Sequence, residues 1–221
     1  MLKTISDYKY ISFDVWNTLL YSNKKYAERR TECISDHCGV TMDEARSAYS
    51  QVKKFLDLSA EISGICMFTD ECWKLLTAIL KVDNVNIYKL MGDVEREFVS
   101  NLPTFSPDIV NKLREIKETS DVKMGILSNT NFVRGDLLSQ HIFNEWNVFD
   151  IKIYSDEIKS AKPSYQSFSF MIQLARKVTG YNLMNHDILH VGDNLVCDGL
   201  VENVGMDFMH VLNPEDLVKK L

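Results

Sequence analysis

Tyr8-Lys9-Tyr10-Ile11-Ser12-Phe13-Asp14-Val15-Trp16-Asn17-Thr18-Leu19-Leu20 opens the first interpretable element of the chain. Tyr8 to Phe13 is an apolar run of β type. It ends at Asp14, a carboxylate at the carboxyl end of a strand. Val15 to Leu20 stays largely apolar but contains Asn17, a residue that tolerates positive φ. The reading is a strand that leads straight into a tight turn.

Downstream the pattern changes. From about Ser22 to Thr104 every periodic segment is helical and nothing β-like interrupts. Thr41-Met42-Asp43-Glu44 is a capping box, followed by Ala45, Ala48, Tyr49, Val52, Phe55 and Leu56 at helical spacing. Thr69 to Leu80 predicts a second helix with Thr69 as its N-cap. Asp83 to Phe98 predicts a third.

The remainder alternates. Ser106-Pro107 predicts an N-cap followed by Pro at the first helical position. Strands are expected over Val122–Leu127, Ile151–Tyr154, Asp187–Val191 and Asp207–Val211. Helices are expected over Phe132–His141, Ser164–Val178 and Leu195–Val204, and a last one from Asn213-Pro214. Strands alternating with helices imply an α/β fold, a Rossmann-like doubly wound parallel sheet. The N-terminal strand belongs to that sheet. Residues 1–21 and 105–221 are therefore read as the core, and 22–104 as a helical cap inserted into it.

Composition agrees. A chain of 221 residues suits one domain, or one carrying an insertion, and 45% hydrophobic residues suffice for a sizeable core. The net charge of −6 argues against general nucleic-acid binding, which needs a basic face. Uncharged apolar stretches are too short for a membrane span, and Met1-Leu2-Lys3-Thr4 does not begin a secretory signal. A cytoplasmic location is expected. Cys33, Cys38, Cys66, Cys72 and Cys197 are irregularly spaced and read as free thiols rather than disulfides or zinc ligands.

In open parallel sheets ligands bind beyond the carboxyl ends of the strands. Those ends carry Asp14, then Ser128-Asn129-Thr130, then Lys159-Ser160-Ala161-Lys162-Pro163, then Gly192-Asp193-Asn194 with Asp198 beyond. Carboxylates bind Mg²⁺ through oxygen. A lysine and a hydroxyl neutralise and donate to phosphoryl oxygens. A carboxylate can also act as a nucleophile and form an acyl phosphate. Such a set suits phosphoryl transfer.

The same pieces in the same order resemble the haloacid dehalogenase-like superfamily: Phe13-Asp14-Val15-Trp16-Asn17-Thr18-Leu19, Ile126-Leu127-Ser128-Asn129, Lys162-Pro163, and Val191-Gly192-Asp193-Asn194-Leu195-Val196-Cys197-Asp198. The resemblance spans nearly the whole chain, and the insertion resembles that superfamily's type 1 cap. It implies that Asp14 is the nucleophile and that Asp14, the Trp16 backbone carbonyl and Asp193 hold Mg²⁺. It implies that Ser128 and Lys162, with Asn129 beside them, bind the phosphorylated substrate. Asp198 would orient metal-bound water or Lys162, and Thr18 would buttress the turn.

One departure changes the expected chemistry. Phosphatases of the superfamily carry a second Asp two residues after the nucleophile, where this chain has Trp16. An indole neither protonates a leaving group nor activates water, and general acid–base catalysis is worth ~10²–10⁴-fold. The expected activity is therefore a Mg²⁺-dependent phosphohydrolase that acts through an aspartyl phosphate on small metabolites with good leaving groups. Two alternatives stand beside it. One is a metal-independent 2-haloacid dehalogenase, a group that also carries an aromatic residue at the Trp16 position and needs a cap arginine. The other is a weakly active or non-catalytic binding protein. Arg29 and Arg30 are candidates for that arginine, but with Lys24 and Lys25 they read first as a solvated helix face. Trp16 reads as filling space under the cap or as stacking on substrate. Met67, Phe68 and Trp73 read as cap core, and His190 as structural.

Overall fold

The computed structural model describes residues 3–221; Met1 and Leu2, part of the N-terminal reading, lie outside that range. Five strands, β1 (Tyr10–Phe13), β2 (Lys123–Ser128), β3 (Ile151–Tyr154), β4 (Ile188–Gly192) and β5 (Asp207–His210), form one parallel sheet in the order β3-β2-β1-β4-β5. A parallel sheet must be covered on both faces, and the side-chain period of two distributes the residues accordingly. Ile11, Phe13, Met124, Ile126, Leu189 and Val191 enter one core cluster. They meet Ile109 and Leu113 of α5 (Pro107–Thr119) and Leu217 of α10 (Pro214–Lys220). Tyr10, Leu127, Ile153 and Ile188 enter the other, under Phe168, Met171 and Ala175 of α9 (Tyr165–Thr179).

Between β1 and β2 the chain leaves the sheet and returns. Its way out and its way back pair with each other: Tyr21 N–H donates to the Thr104 carbonyl at 2.8 Å, and Thr104 N–H to the Tyr21 carbonyl at 3.0 Å. The excursion is four helices, α1 (Lys24–Cys38), α2 (Met42–Ser63), α3 (Thr69–Leu80) and α4 (Ile87–Ser100). Their ends are chemically marked. The Asn23 side chain accepts from Lys25 N–H, Thr41 and Glu44 cap each other, and the Asn86 side chain accepts from Lys89 N–H. Ile34, Val52, Leu76, Leu90 and Phe98 fill the cap interior, in the same buried cluster as one face of the sheet. Phe132 joins the two, its ring 4.5 Å from Tyr49 and 4.8 Å from Trp73 between centroids.

Several boundaries differ from the sequence reading, each for a local reason. The helix expected over Thr69–Leu80 has that span, but its cap lies one residue earlier than the expected Thr69. Phe68 is the N-cap of α3 and its N–H donates to Glu71 Oε2 at 2.8 Å, with Thr69 already helical. The helix expected from Asp83 starts only at Ile87, because Asn84 adopts φ 66° and the chain turns there first. The one expected over Phe132–His141 starts at Gly135. It runs as α6 (Gly135–Leu138), a π-helical turn (Ser139–Phe143) and α7 (Asn144–Trp146), while Phe132 is buried against the cap instead. The helix expected over Leu195–Val204 is a turn followed by a 3₁₀ segment, Gly199–Val204. A short helix not anticipated, α8 (Ser155–Ile158), follows β3.

Among the described residues no helix is long and apolar enough to cross a membrane, and all five cysteines are free.

Candidate active site

The site is assembled by register. Phe13 pairs with Ile126 on one side and Val191 on the other, so all three strands end at one rim. Asp14 N–H continues the ladder, donating to the Val191 carbonyl at 2.8 Å. Past Asp14 the turn is closed by Leu19 and Leu20 N–H on the Val15 carbonyl, and Asn17 takes the expected positive φ, 56°. Thr18 is buried in this turn, and its hydroxyl has no hydrogen-bond partner. Main-chain bonds hold the turn.

Lys162 lies at the centre, 1% exposed. Its Nζ donates to Asp14 Oδ1 at 2.7 Å and to Asp198 Oδ1 at 2.5 Å. His190 Nε2 lies 3.1 Å from the same Asp198 oxygen, and Asn194 N–H donates to Asp198 Oδ2 at 3.1 Å. Gly192 makes room for this. A Cβ there would lie 2.2 Å from Asp198 Oδ2. Asn17 Nδ2 reaches Asp193 Oδ2 at 3.2 Å and ties the first turn to the last.

Asn129 lines the cleft, and its amide is also engaged within the protein. Its Oδ1 accepts Lys162 N–H at 2.7 Å, and its Nδ2 donates to the Lys162 carbonyl at 2.9 Å. Both ends of the amide are used to fix the lysine's main chain. Ser128 is buried at the end of β2, with only a 3.5 Å contact from its hydroxyl to the Asn129 carbonyl. Lys159, the other lysine of that segment, sits 3.6 Å over the Phe68 ring.

Carboxylate oxygens of Asp14, Asp193 and Asp198 lie within 4.8 Å of one another. Against three carboxylates stands one buried lysine, so the cluster calls for further positive charge. Burial pushes Asp14 up to about 7, with Lys162 pulling in the opposite direction. Burial also raises Asp193. At Asp198 burial acts upward, but Lys162 and His190 outweigh it and hold the carboxyl well below the usual range. Burial lowers His190, which keeps the ring neutral beside them. An all-oxygen, partly buried donor set of this kind fits Mg²⁺. Lys162 takes one oxygen of Asp14 and Asn17 one of Asp193, which leaves a second oxygen on each, whereas both oxygens of Asp198 are bound.

Over the rim lies a cleft of about 520 Å³, walled by core and cap together. Trp16 is half-buried. It packs on the core and also faces this cleft. Arg30 departs from the expected solvated face. Its guanidinium lies 3.5 Å over the Tyr49 ring and 5.4 Å from that of Tyr26, it lines the cleft, and its buried Nε has no partner. Arg29 does face outward, paired with Glu32 and Glu97. Of the residues expected in the cap core, Trp73 is buried, Met67 borders the cleft and Phe68 is exposed.

No family model matches the chain. The uncharacterized hydrolase C7D4.05 of Schizosaccharomyces pombe is 27% identical over 209 residues, which is 89% of this chain and 86% of that protein. Among solved structures, the HAD-hydrolase YfnB of Bacillus subtilis, bound to magnesium, superposes with TM-score 0.69 at 15% identity, covering 96% of this chain and 97% of its own. The 2-haloacid dehalogenase of Pseudomonas syringae pv. Tomato DC3000 gives 0.63 at 14%, covering 96% and 99%. A HAD phosphatase of Thermococcus onnurineus gives 0.61 at 19%, covering 92% and 86%. The architecture is that of the haloacid dehalogenase-like hydrolases, with a helical cap between the first two strands. Phosphatase and dehalogenase share it, so the fold alone does not choose the reaction.

Proposed function

We propose that the chain is a hydrolase of this superfamily, a Mg²⁺-dependent phosphohydrolase working through an aspartyl phosphate on Asp14. The observation that carries the reading is the Lys162 ammonium bridging Asp14 and Asp198, with Asp193 completing a three-carboxylate cluster. Asp14 attacks phosphorus with one carboxylate oxygen, and the bond to the leaving oxygen breaks with its electron pair. Lys162 holds Asp14 and offers charge to the phosphoryl oxygens. Bound by Asp14 and Asp193, Mg²⁺ would supply the remaining charge compensation. Water then attacks the same phosphorus, the P–O bond to Asp14 breaks with its electron pair to restore the carboxylate, and the water's proton leaves with the phosphate.

Trp16 gives the leaving group no proton. The reading therefore favours substrates whose leaving oxygen departs as an anion, acyl phosphates above alkyl phosphates. Phosphate release from acetyl phosphate and from a sugar phosphate, with and without Mg²⁺ and beside Asp14→Asn, tests it. Mg²⁺-dependent turnover of acetyl phosphate that disappears in Asp14→Asn is expected. Equal activity in Asp14→Asn overturns the nucleophile assignment.

A second reading, a metal-independent 2-haloacid dehalogenase, is favoured by two observations: among the described residues no carboxylate pairs with Arg30 in the cleft, and an aromatic residue follows Asp14 by two. Halide release from 2-chloropropionate in excess chelator would establish it and displace the first.

A further inference from the structure

The C-terminal end of α2 touches the core at two points, and both adjoin the catalytic loops. Glu61 Oε1 accepts from Asn194 Nδ2 at 3.0 Å. Three residues on, the Gly64 carbonyl accepts Ala161 N–H at 3.0 Å, next to Lys162. Gly64 has φ +67°, and a Cβ there would lie 2.4 Å from Ser164 Cβ, so glycine permits the close approach. Cys66 Sγ extends the contact, 3.3 Å from Ser155 Oγ.

Asn194 is the knot of the turn between Asp193 and Asp198. Its Oδ1 accepts Val196 N–H at 2.8 Å and Cys197 N–H at 3.0 Å. Its main chain holds Asp198 from both sides, N–H to Oδ2 at 3.1 Å and carbonyl from Asp198 N–H at 2.8 Å. An asparagine amide can be turned end for end. An ionised carboxylate only accepts hydrogen bonds, so Glu61 requires Nδ2 to face the cap. That same orientation leaves Oδ1 for Val196 and Cys197.

We propose that Glu61 is a positioning residue that couples closure of the cap to cation binding at Asp14 and Asp193. The inference rests on the metal-dependent reading above. With the cap seated, Glu61 fixes the Asn194 amide and through it the turn that presents Asp193. Groups behind the ligands set their orientation and contribute to metal affinity. Coupling of this kind is reciprocal, so cation binding holds the cap shut to the same degree that the shut cap favours the cation.

The test uses the full chain as parent, Glu61→Gln and Glu61→Ala. Hydrogen exchange of the Ala161 amide without metal reports whether the α2 end stays on the core. Calorimetric titration with Mg²⁺ alone reports the cation site. The Ala variant is expected to exchange Ala161 faster and to bind Mg²⁺ about fivefold more weakly or worse. The Gln variant, which keeps an acceptor, is expected within about twofold of the parent. Unchanged exchange and affinity in Glu61→Ala overturn the proposal. A Gln variant as weak as Ala overturns it too, by assigning the effect to charge rather than to the hydrogen bond. A parent that binds no Mg²⁺ overturns the metal reading and the coupling with it, and the Ala161 comparison then still decides whether Glu61 seats the cap.

Discussion

Lys162 Nζ stands 2.7 Å from Asp14 Oδ1 and 2.5 Å from Asp198 Oδ1, with the ammonium almost wholly out of water. Such a group is stable only with its partners, because an unpaired buried charge is costly. Replacing it by methionine leaves two buried carboxylates facing each other. Lys162→Met is expected to destabilise the fold by ~3–5 kcal/mol and to abolish phosphate release. Urea unfolding beside a turnover assay checks both. A Met variant as stable as the parent would mean that the carboxylates relax into solvent, and that the ion pair is not structural.

In the proposed reaction an alkyl phosphate needs a proton donor at its leaving oxygen, and the Trp16 indole that lines the cleft beyond Asp14 supplies none. Trp16→Asp is therefore expected to raise turnover of a sugar phosphate relative to acetyl phosphate, by up to ~10²–10⁴-fold if the donor is all that is missing. The ratio of the two kcat/KM values is the readout, since it cancels any general loss from removing the indole. An unchanged ratio would place the limit on substrate choice in the cap.

The order of elements was legible because each carries its own chemical mark. Asp14, Ser106-Pro107, Thr41 with Glu44, and Asn213-Pro214 are local signals, and local rules place them. The strand-end rule likewise points to Asp14, to the segment that holds both Lys159 and Lys162, and to Asp193; the resemblance carried by Lys162-Pro163 chooses between the two lysines. What periodicity did not carry was direction across space. Arg30 and Arg29 are adjacent in sequence, yet one turns onto Tyr49 in the cleft and the other pairs with Glu97 outside. Asn129 reads in sequence as a ligand-facing amide, and only the structure shows that it also bonds both main-chain groups of Lys162. Glu61 and Asn194, 133 positions apart, share no sequence pattern at all.

Gly192 is a place where one methyl group should matter. Its Cβ would fall 2.2 Å from Asp198 Oδ2 and 2.3 Å from Asp198 Cγ, closer than atoms pack. Asp198 is held by Lys162, His190 and Asn194, so it has little freedom to withdraw. Gly192→Ala is expected to lose ~1–3 kcal/mol of stability and to weaken Mg²⁺ binding, because Asp193 follows directly. Thermal unfolding and Mg²⁺ calorimetry measure the two effects separately, and parent-like values in both would show that the Asp198 turn yields without loss.

Arg30 holds its charge over two tyrosine rings instead of a carboxylate. A ring face compensates a guanidinium by only about 0.5–2 kcal/mol, which leaves the cation available to an anion in the cleft. A substrate that bears a carboxylate or second phosphate beyond its reacting group would use it, and acetyl phosphate would not. Arg30→Met keeps most of the aliphatic stem and removes the charge. It is expected to raise KM for a carboxylate-bearing acyl phosphate such as succinyl phosphate by about tenfold or more, the ~1.5–3 kcal/mol of a charged hydrogen bond, with kcat little changed. The same variant should turn over acetyl phosphate as the parent does. Equal losses on both substrates would instead mean that Arg30 braces Tyr26 and Tyr49 and acts on the shape of the cleft.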